Sequence, residues 1–153
     1  MNIMQLKAFV EQHNTWKCRA YGTVAQTVNN GSFSFPEMTT IDFDPSGMVT
    51  TGVGGVVTIL VDGIYHVSVS GAIAEIPDGG RLVVAIFKNG AEFKRGTDWL
   101  TGAANPFTMS CNAIMYCKAG DTLQMGQFTS TAAMSTVAAT PYLYIAVAYL
   151  SAA

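Results

Sequence analysis

The segment Leu82-Val83-Val84-Ala85-Ile86-Phe87-Lys88-Asn89-Gly90 runs an unbroken apolar stretch into an Asn-Gly pair. Side chains along a strand alternate between its two faces, so Leu82, Val84 and Ile86 share one face and Val83, Ala85 and Phe87 the other. Neither row contains a polar residue. Asn and Gly both tolerate positive φ, as a tight hairpin turn requires, so a two-faced apolar strand followed by a turn is predicted. The end of the chain repeats the pattern, with Leu143, Ile145, Val147 and Tyr149 on one face and Tyr142, Tyr144, Ala146 and Ala148 on the other. By contrast, Tyr65, Val67 and Val69 alternate with His66, Ser68 and Ser70, which gives that strand one wet side. A two-layer sandwich covers only one face of each sheet, so the second apolar face of residues 82–87 and 142–150 is expected to meet another subunit.

From Cys18 onward the chain is a series of short β-branched and aromatic runs separated by Gly, Asn, Asp and Pro, the signature of strands joined by turns. Asn29-Asn30-Gly31, Asp62-Gly63, Asp78-Gly79-Gly80 and Ala119-Gly120-Asp121 supply further turns. They delimit candidate strands near 18–28, 33–43, 54–61, 64–74, 81–88, 91–95, 107–117, 122–130 and 141–151. About eight to ten strands without helices make an all-β sandwich or barrel. The Ser/Thr/Ala-rich stretch Thr129 to Thr140 reads as a loop. Residues 1–17 are set apart as an N-terminal arm from a domain over 18–153, because Ile3, Leu6 and Val10 recur at helical spacing among Gln5, Lys7, Glu11 and Gln12. So short a helix is marginal alone and needs a partner or further copies of itself.

Composition narrows the function. The 153 residues are 50% apolar and only 12% charged, against roughly 25% charged in soluble domains. An apolar surplus goes to a bilayer or to a protein interface. The longest apolar run, Leu143 to Leu150, is strand-sized and far short of the roughly 20 residues a spanning helix needs, so an obligate oligomer is expected and membrane insertion is not. A formal charge of −2 provides no basic field for a nucleic-acid backbone. Lys7, Glu11 and His13 interrupt any secretory leader in the first residues, which points to folding in a cytoplasm. Cys18, Cys111 and Cys117 lack zinc-site spacing and read as reduced apolar fillers.

Four stretches resemble the globular head of complement component 1q and its tumour-necrosis-factor-like relatives. Gly63-Ile64-Tyr65-His66-Val67-Ser68-Val69 resembles that superfamily's Gly-x-Tyr-x-Phe strand, in which the Gly turns the chain and the Tyr packs inward; Val67 stands in place of the Phe. Val84 to Gly90 resembles its apolar strand ending in an Asn-Gly hairpin. Tyr116-Cys117-Lys118-Ala119-Gly120-Asp121-Thr122-Leu123 resembles its Lys-x-Gly-Asp turn, and Tyr142 to Leu150 its closing strand near the trimer axis. The order and spacing of the motifs carry the likeness, which spans Cys18 to Leu150.

The resemblance implies an antiparallel jelly-roll β-sandwich and a homotrimer, with Tyr142, Tyr144, Ala146, Ala148, Val83 and Phe87 as trimer-interface candidates. The secretion signals and collagen-like stalks of the animal members are not seen here, which favours the relatives found in bacteriophage virions. The expectation is therefore a virion structural protein, a knob, fibre or decoration on a capsid or tail, made in the host cytoplasm. Ile3, Leu6, Phe9 and Val10 would anchor it to capsid or tail proteins, and the far loops could meet a host receptor or glycan. The alternative is a soluble or secreted trimeric module that recognises a saccharide or protein through apical loops.

Catalytic constellations are sparse. His13 lies in the arm and His66 beside Ser68 and Ser70 on a strand, and no nucleophile elbow, phosphate loop or zincin helix is present, so no enzyme and no cofactor are expected. Asp42 and Asp44 could offer oxygens to calcium, although Asp44 before Pro45 and Gly47 is better read as the start of a turn; no metal residues are assigned. Trp99, in an expected loop, is the candidate ligand-binding aromatic, its alternative being a buried loop anchor. Met109, Cys111, Ala113, Met115 and Cys117 share a strand face that reads as core.

Overall fold

The structure is a computed structural model that describes the chain apart from residues 1, 2, 6, 8, 9, 11–14, 53, 97, 98, 101–104, 131, 132, 138–141 and 153, and apart from the side chains of 99, 100, 105 and 106. Its strands are β1 (Lys17–Tyr21), β2 (Thr27–Val28), β3 (Thr40–Phe43), β4 (Val49–Thr50), β5 (Val56–Thr58), β6 (Gly63–Ile76) and β7 (Arg81–Lys88). They continue as β8 (Ala91–Arg95), β9 (Trp99–Leu100), β10 (Asn105–Cys117), β11 (Thr122–Thr129), β12 (Met134–Ser135) and β13 (Tyr144–Ser151). The first sheet has the order β10-β6-β13-β1-β3 and the second β4-β5-β11-β7-β8, with β9 also paired to β7. Neighbouring strands pair antiparallel, and the connections jump between sheets, as in a jelly roll.

The alternation in the sequence decides what faces the interior. Tyr65, Val67 and Val69 from β6, Ile145, Val147 and Tyr149 from β13, Leu82, Val84 and Ile86 from β7, and Leu123 and Met125 from β11 are all buried between the sheets. Each large apolar side chain so buried contributes about 1.5–3 kcal/mol. Tyr65 stands edge-on to Tyr149 at 5.4 Å between ring centroids, and its hydroxyl donates to the Val61 carbonyl at 2.7 Å. Gly63 is required by close approach and not by a turn. A Cβ there would lie 2.4 Å from the Tyr149 ring and 2.6 Å from the Ser151 carbonyl oxygen. Met109, Cys111, Met115 and Cys117 face inward as expected of a core row.

Two of the sequence motifs interlock at one end of the sandwich. Asn89 at φ 53° and Gly90 at φ 76° form the β7–β8 hairpin turn, and Gly120 at φ 89° forms the β10–β11 turn. Asp121 ties them together, accepting from Asn89 Nδ2 at 2.7 Å and from the Lys118 amide at 2.8 Å, and pairing with Lys88 Nζ at 2.9 Å. Burial works against its ionisation, but the bonds from Asn89, Lys118 and Lys88 prevail and hold the carboxyl down to about 2. The pKa is depressed on folding, so its contribution is complete above the ordinary carboxylate value near 4 and is lost as pH falls through about 2. Asp121→Ala is expected to cost about 2 kcal/mol at pH 6, and the gap from wild type should close near pH 2. Urea unfolding at both pH values checks this; a gap that persists at pH 2 would show that the charge does not carry the effect.

Several expectations are corrected. The strand predicted over 18–28 ends at Tyr21, and Gly22 beyond it packs against Leu143, whose Cδ2 would lie 2.4 Å from a Cβ there. Of 33–43 only Thr40–Phe43 is strand. Within the expected loop 129–140, Met134–Ser135 pairs with Thr27–Val28. Trp99, expected in a loop, belongs to β9 and pairs with Leu82.

Val83 and Phe87, expected at a subunit interface, are already covered by their own chain, at 0% and 7% exposure. The segment before β3 supplies the cover. Ser34 bridges to Gln127 on β11, and the Phe33 and Phe35 rings reach across β11 to Phe87, with centroids 5.0 and 4.9 Å away and T-shaped geometry. Gly126 makes the passage possible, since a Cβ there would come 2.5 Å from the Phe87 ring and 3.0 Å from Phe33. The Arg81 guanidinium lies over the Phe128 ring at 5.8 Å and that of Arg95 over the Phe33 ring at 5.5 Å. Glu92 holds Arg95 through two bonds of 2.8 Å each.

Candidate functional site: the outer face of the first sheet

With the outer face of β7 accounted for, the outer face of the first sheet is the surface left to explain. The registers set its rows. His66 lies between Ile114 on β10 and Ala148 on β13, and Ala148 lies beside Lys17 on β1. One row along, Ser68 lies between Asn112 and Ala146, with Arg19 and then Phe43 beyond. A third row brings Ser70 between Ser110 and Tyr144, with Tyr21 next. The face therefore has a floor of small side chains flanked by larger ones. Tyr144, Ala146 and Ala148 are half-buried on it, and Tyr142, in the turn before β13, is 42% exposed. The four residues of the closing segment assigned to an interface thus share this face or its end.

Sequence reasoning missed part of it. Ile114 is 69% exposed and Tyr116 40%, both on β10, the edge strand of the sheet. Ile114 is the apolar exception in a row otherwise made of Thr108, Ser110, Asn112 and Tyr116, and that exception was the available signal. Phe43, on the opposite edge strand, is exposed and forms one wall of a groove of about 170 Å³ whose lining includes Lys17, His66, Ser68, Ala146 and Ala148. Arg19 stacks over the Tyr144 ring at 5.1 Å and pairs with Asp42 at 3.2 Å.

The described arm residues are helical and expose apolar side chains. Ile3, Met4, Gln5, Lys7 and Val10 are helical, and Ile3 is 87% exposed, Met4 81% and Val10 47%. Leu6 and Phe9 lie outside the described residues, as does the Trp99 side chain. Asp44 starts a turn, its carboxylate accepting from the amides of Met48 at 2.9 Å and Val49 at 2.7 Å. Among the described residues no group of three or more His, Cys, Asp or Glu could hold a metal. All three cysteines are free and buried. Burial pushes their thiols up, and Cys18, with the Asp44 charge adding to the effect, reaches about 12. At neutral pH they carry little of the nucleophilic thiolate.

No protein-family model and no curated protein matches the chain. Solved structures do. Eiger TNF from S. frugiperda superposes with a TM-score of 0.69 at 14% identity, over 90% of this chain and 93% of that one. The globular domain of zebrafish complement 1qA matches with 0.65 at 10% identity, over 90% and 98%. Murine APRIL matches with 0.61 at 10% identity, over 88% and 98%. The chain has the TNF/C1q-like jelly-roll fold. At these identities the likeness establishes the fold alone, and function rests on the surfaces of this chain.

Proposed function

We propose that this TNF/C1q-like chain is a homotrimeric, non-catalytic module for binding and assembly, and that it serves as a virion structural protein of bacteriophage type, a knob, fibre or decoration on capsid or tail. The carrying observation is the outer face of the first sheet, where Ala146 and Ala148 form a floor on β13 and, across β6, the edge strand β10 exposes Ile114 and Tyr116. A floor on one copy and an apolar edge on the next complement each other head to tail, and a rotation that closes after three copies makes a trimer. The exposed apolar side chains of the arm support its docking into a capsid or tail protein, the mode in which an amphipathic helix fills a groove. Such a protein is made in the host cytoplasm and resides in the virion.

Light scattering on the full chain and on a chain starting at Thr15 tests the assembly. Each is expected at three times its own chain mass, which is 16.2 kDa for the full chain. A monomer in both would overturn the reading. Deleting residues 2–14 is expected to abolish incorporation into the assembled particle while leaving the trimer intact; incorporation at wild-type level would remove the arm from anchoring. A trimer that never enters a particle and instead retains a saccharide or protein ligand would favour the soluble ligand-binding module.

A further inference from the structure

We infer that Lys94 of one copy pairs with Asp42 of the next, and that this ion pair sets the head-to-tail register of the assembly. The inference rests on the assembly reading above and names a contact within it. The two residues stand at opposite sides of the first sheet. Its order β10-β6-β13-β1-β3 puts β10 at one edge and β3 at the other. With strands about 4.8 Å apart, those edges are separated by about 19 Å, too far for the two side chains to meet within one chain. The pairing registers nevertheless give them the same level along the strands. Asn112 lies beside Ser68, Ser68 beside Ala146, Ala146 beside Arg19, and Arg19 beside Phe43. One step on, the row reads Cys111, Val69, Ile145, Ala20 and Ile41. Asp42 falls between Phe43 and Ile41, where the register shifts, so it stands across the sheet from Asn112 and Cys111. Lys94 is held at that level on the far side. The Cys111 thiol donates to the Lys94 carbonyl at 3.6 Å, and Lys94 lines an open pocket of about 390 Å³ with Ser110 and Asn112. Gly96 permits this approach of β8 to β10, since a Cβ there would come 2.8 Å from the Ser110 carbonyl oxygen.

Rotation about an axis leaves height along that axis unchanged. For a threefold axis running along the strands, the β10 edge of one copy meets the β1 and β3 side of the next at equal level, which sets Lys94 opposite Asp42. The chemistry at both ends suits the meeting. Lys94 is exposed, and among the described residues no carboxylate pairs with it. Glu92, the acid of its own strand, is held by Arg95. Asp42 accepts from Arg19 through Oδ2 at 3.2 Å, and its Oδ1 is left for a second cation. Asp44 does not compete, because its carboxylate is engaged by the Met48 and Val49 amides. Lys17 shares a pocket with Asp44 and Phe43, so the cations of that side have acids beside them. A charge pair so placed fixes register and works against wrong dockings.

The test is light scattering over a dilution series at pH 7.5 for wild type, Lys94→Glu, Asp42→Lys and the double variant, with far-UV circular dichroism to confirm the fold. Each single reversal sets like charges together at every contact and is expected to raise the dissociation constant at least about a hundredfold. The double variant is expected to return to within about tenfold of wild type. Because the two positions lie far apart within one chain, such rescue reports a contact between copies. Single variants of unchanged affinity, or a double variant as weak as the singles, overturn this inference and leave the assembly reading standing. If Asp42→Lys loses its fold beside Arg19, a chain carrying Lys94→Cys and Asp42→Cys decides, the native cysteines being buried. Oxidation with diamide is then expected to give covalent trimers on a non-reducing gel, and monomers only would overturn the pairing. A wild-type monomer overturns the assembly reading and this inference together.

Discussion

Ala148→Glu is expected to convert the proposed trimer into a folded monomer. Ala148 lies on the outer face of the first sheet, half-buried by its own chain, with Lys17 as its direct cross-strand neighbour and His66 on the other side. In the monomer a carboxylate there is solvated and sits beside Lys17, so the fold should tolerate it within about 0.5 kcal/mol. In the trimer the same carboxylate would be desolvated in every copy, and each buried charge costs several kcal/mol even when partly paired. The dissociation constant should therefore rise at least about a thousandfold, the equivalent of about 4 kcal/mol. Light scattering at micromolar concentration checks the mass and circular dichroism the fold. A trimer of unchanged affinity would take the outer face of the first sheet out of the assembly.

Phe87→Ala should do the opposite, lowering stability by about 3–5 kcal/mol while the mass stays that of the wild type. The Phe87 ring is 7% exposed and touches Phe33 and Phe35 edge-on, over the gap left by Gly126. Truncation would open a cavity that this cluster cannot close, because Phe33 and Phe35 belong to a segment pinned to β11 by backbone bonds in both directions between Ser34 and Gln127, at 2.7 and 2.8 Å. Unfolding by urea at one fixed protein concentration separates the effect from dissociation. Loss of assembly with unchanged subunit stability would return Phe87 to the interface to which its apolar strand had pointed.

The two substitutions sit on the two apolar strands from which the sequence reading began, and their contrast shows the reach of that reading. Alternation is a property of the chain itself, set by the two-residue period of a strand, so the inward row of β6 and the two apolar faces of β7 and β13 could be read without coordinates. The hairpin at Asn89-Gly90, the turn at Gly120-Asp121 and the inward Tyr65 were legible for the same reason: turn chemistry and strand phase are local. The interlocking of those two turns through Asp121 was not, because Asn89 and Asp121 are neighbours only once β7 and β11 have paired.

What the sequence by itself determined is that this is an all-β sandwich or barrel with turns at named places, that the row Tyr65, Val67 and Val69 of β6 faces away from its wet side, and that two strands carry apolar residues on both faces. Which of those second faces is covered by the chain and which remains for a neighbour was decided only by the tertiary structure. Nothing local marks Phe33 and Phe35 as the roof over Phe87, and their segment had been read as part of a strand of its own. The meeting depends on Gly126 leaving a gap on β11 and on Ser34 bridging to Gln127, contacts between residues roughly ninety positions apart. Periodicity states that a face must be buried, whereas long-range pairing selects what buries it. That selection leaves Ile114, Ala146 and Ala148, and not Val83, as the surface available to a second copy.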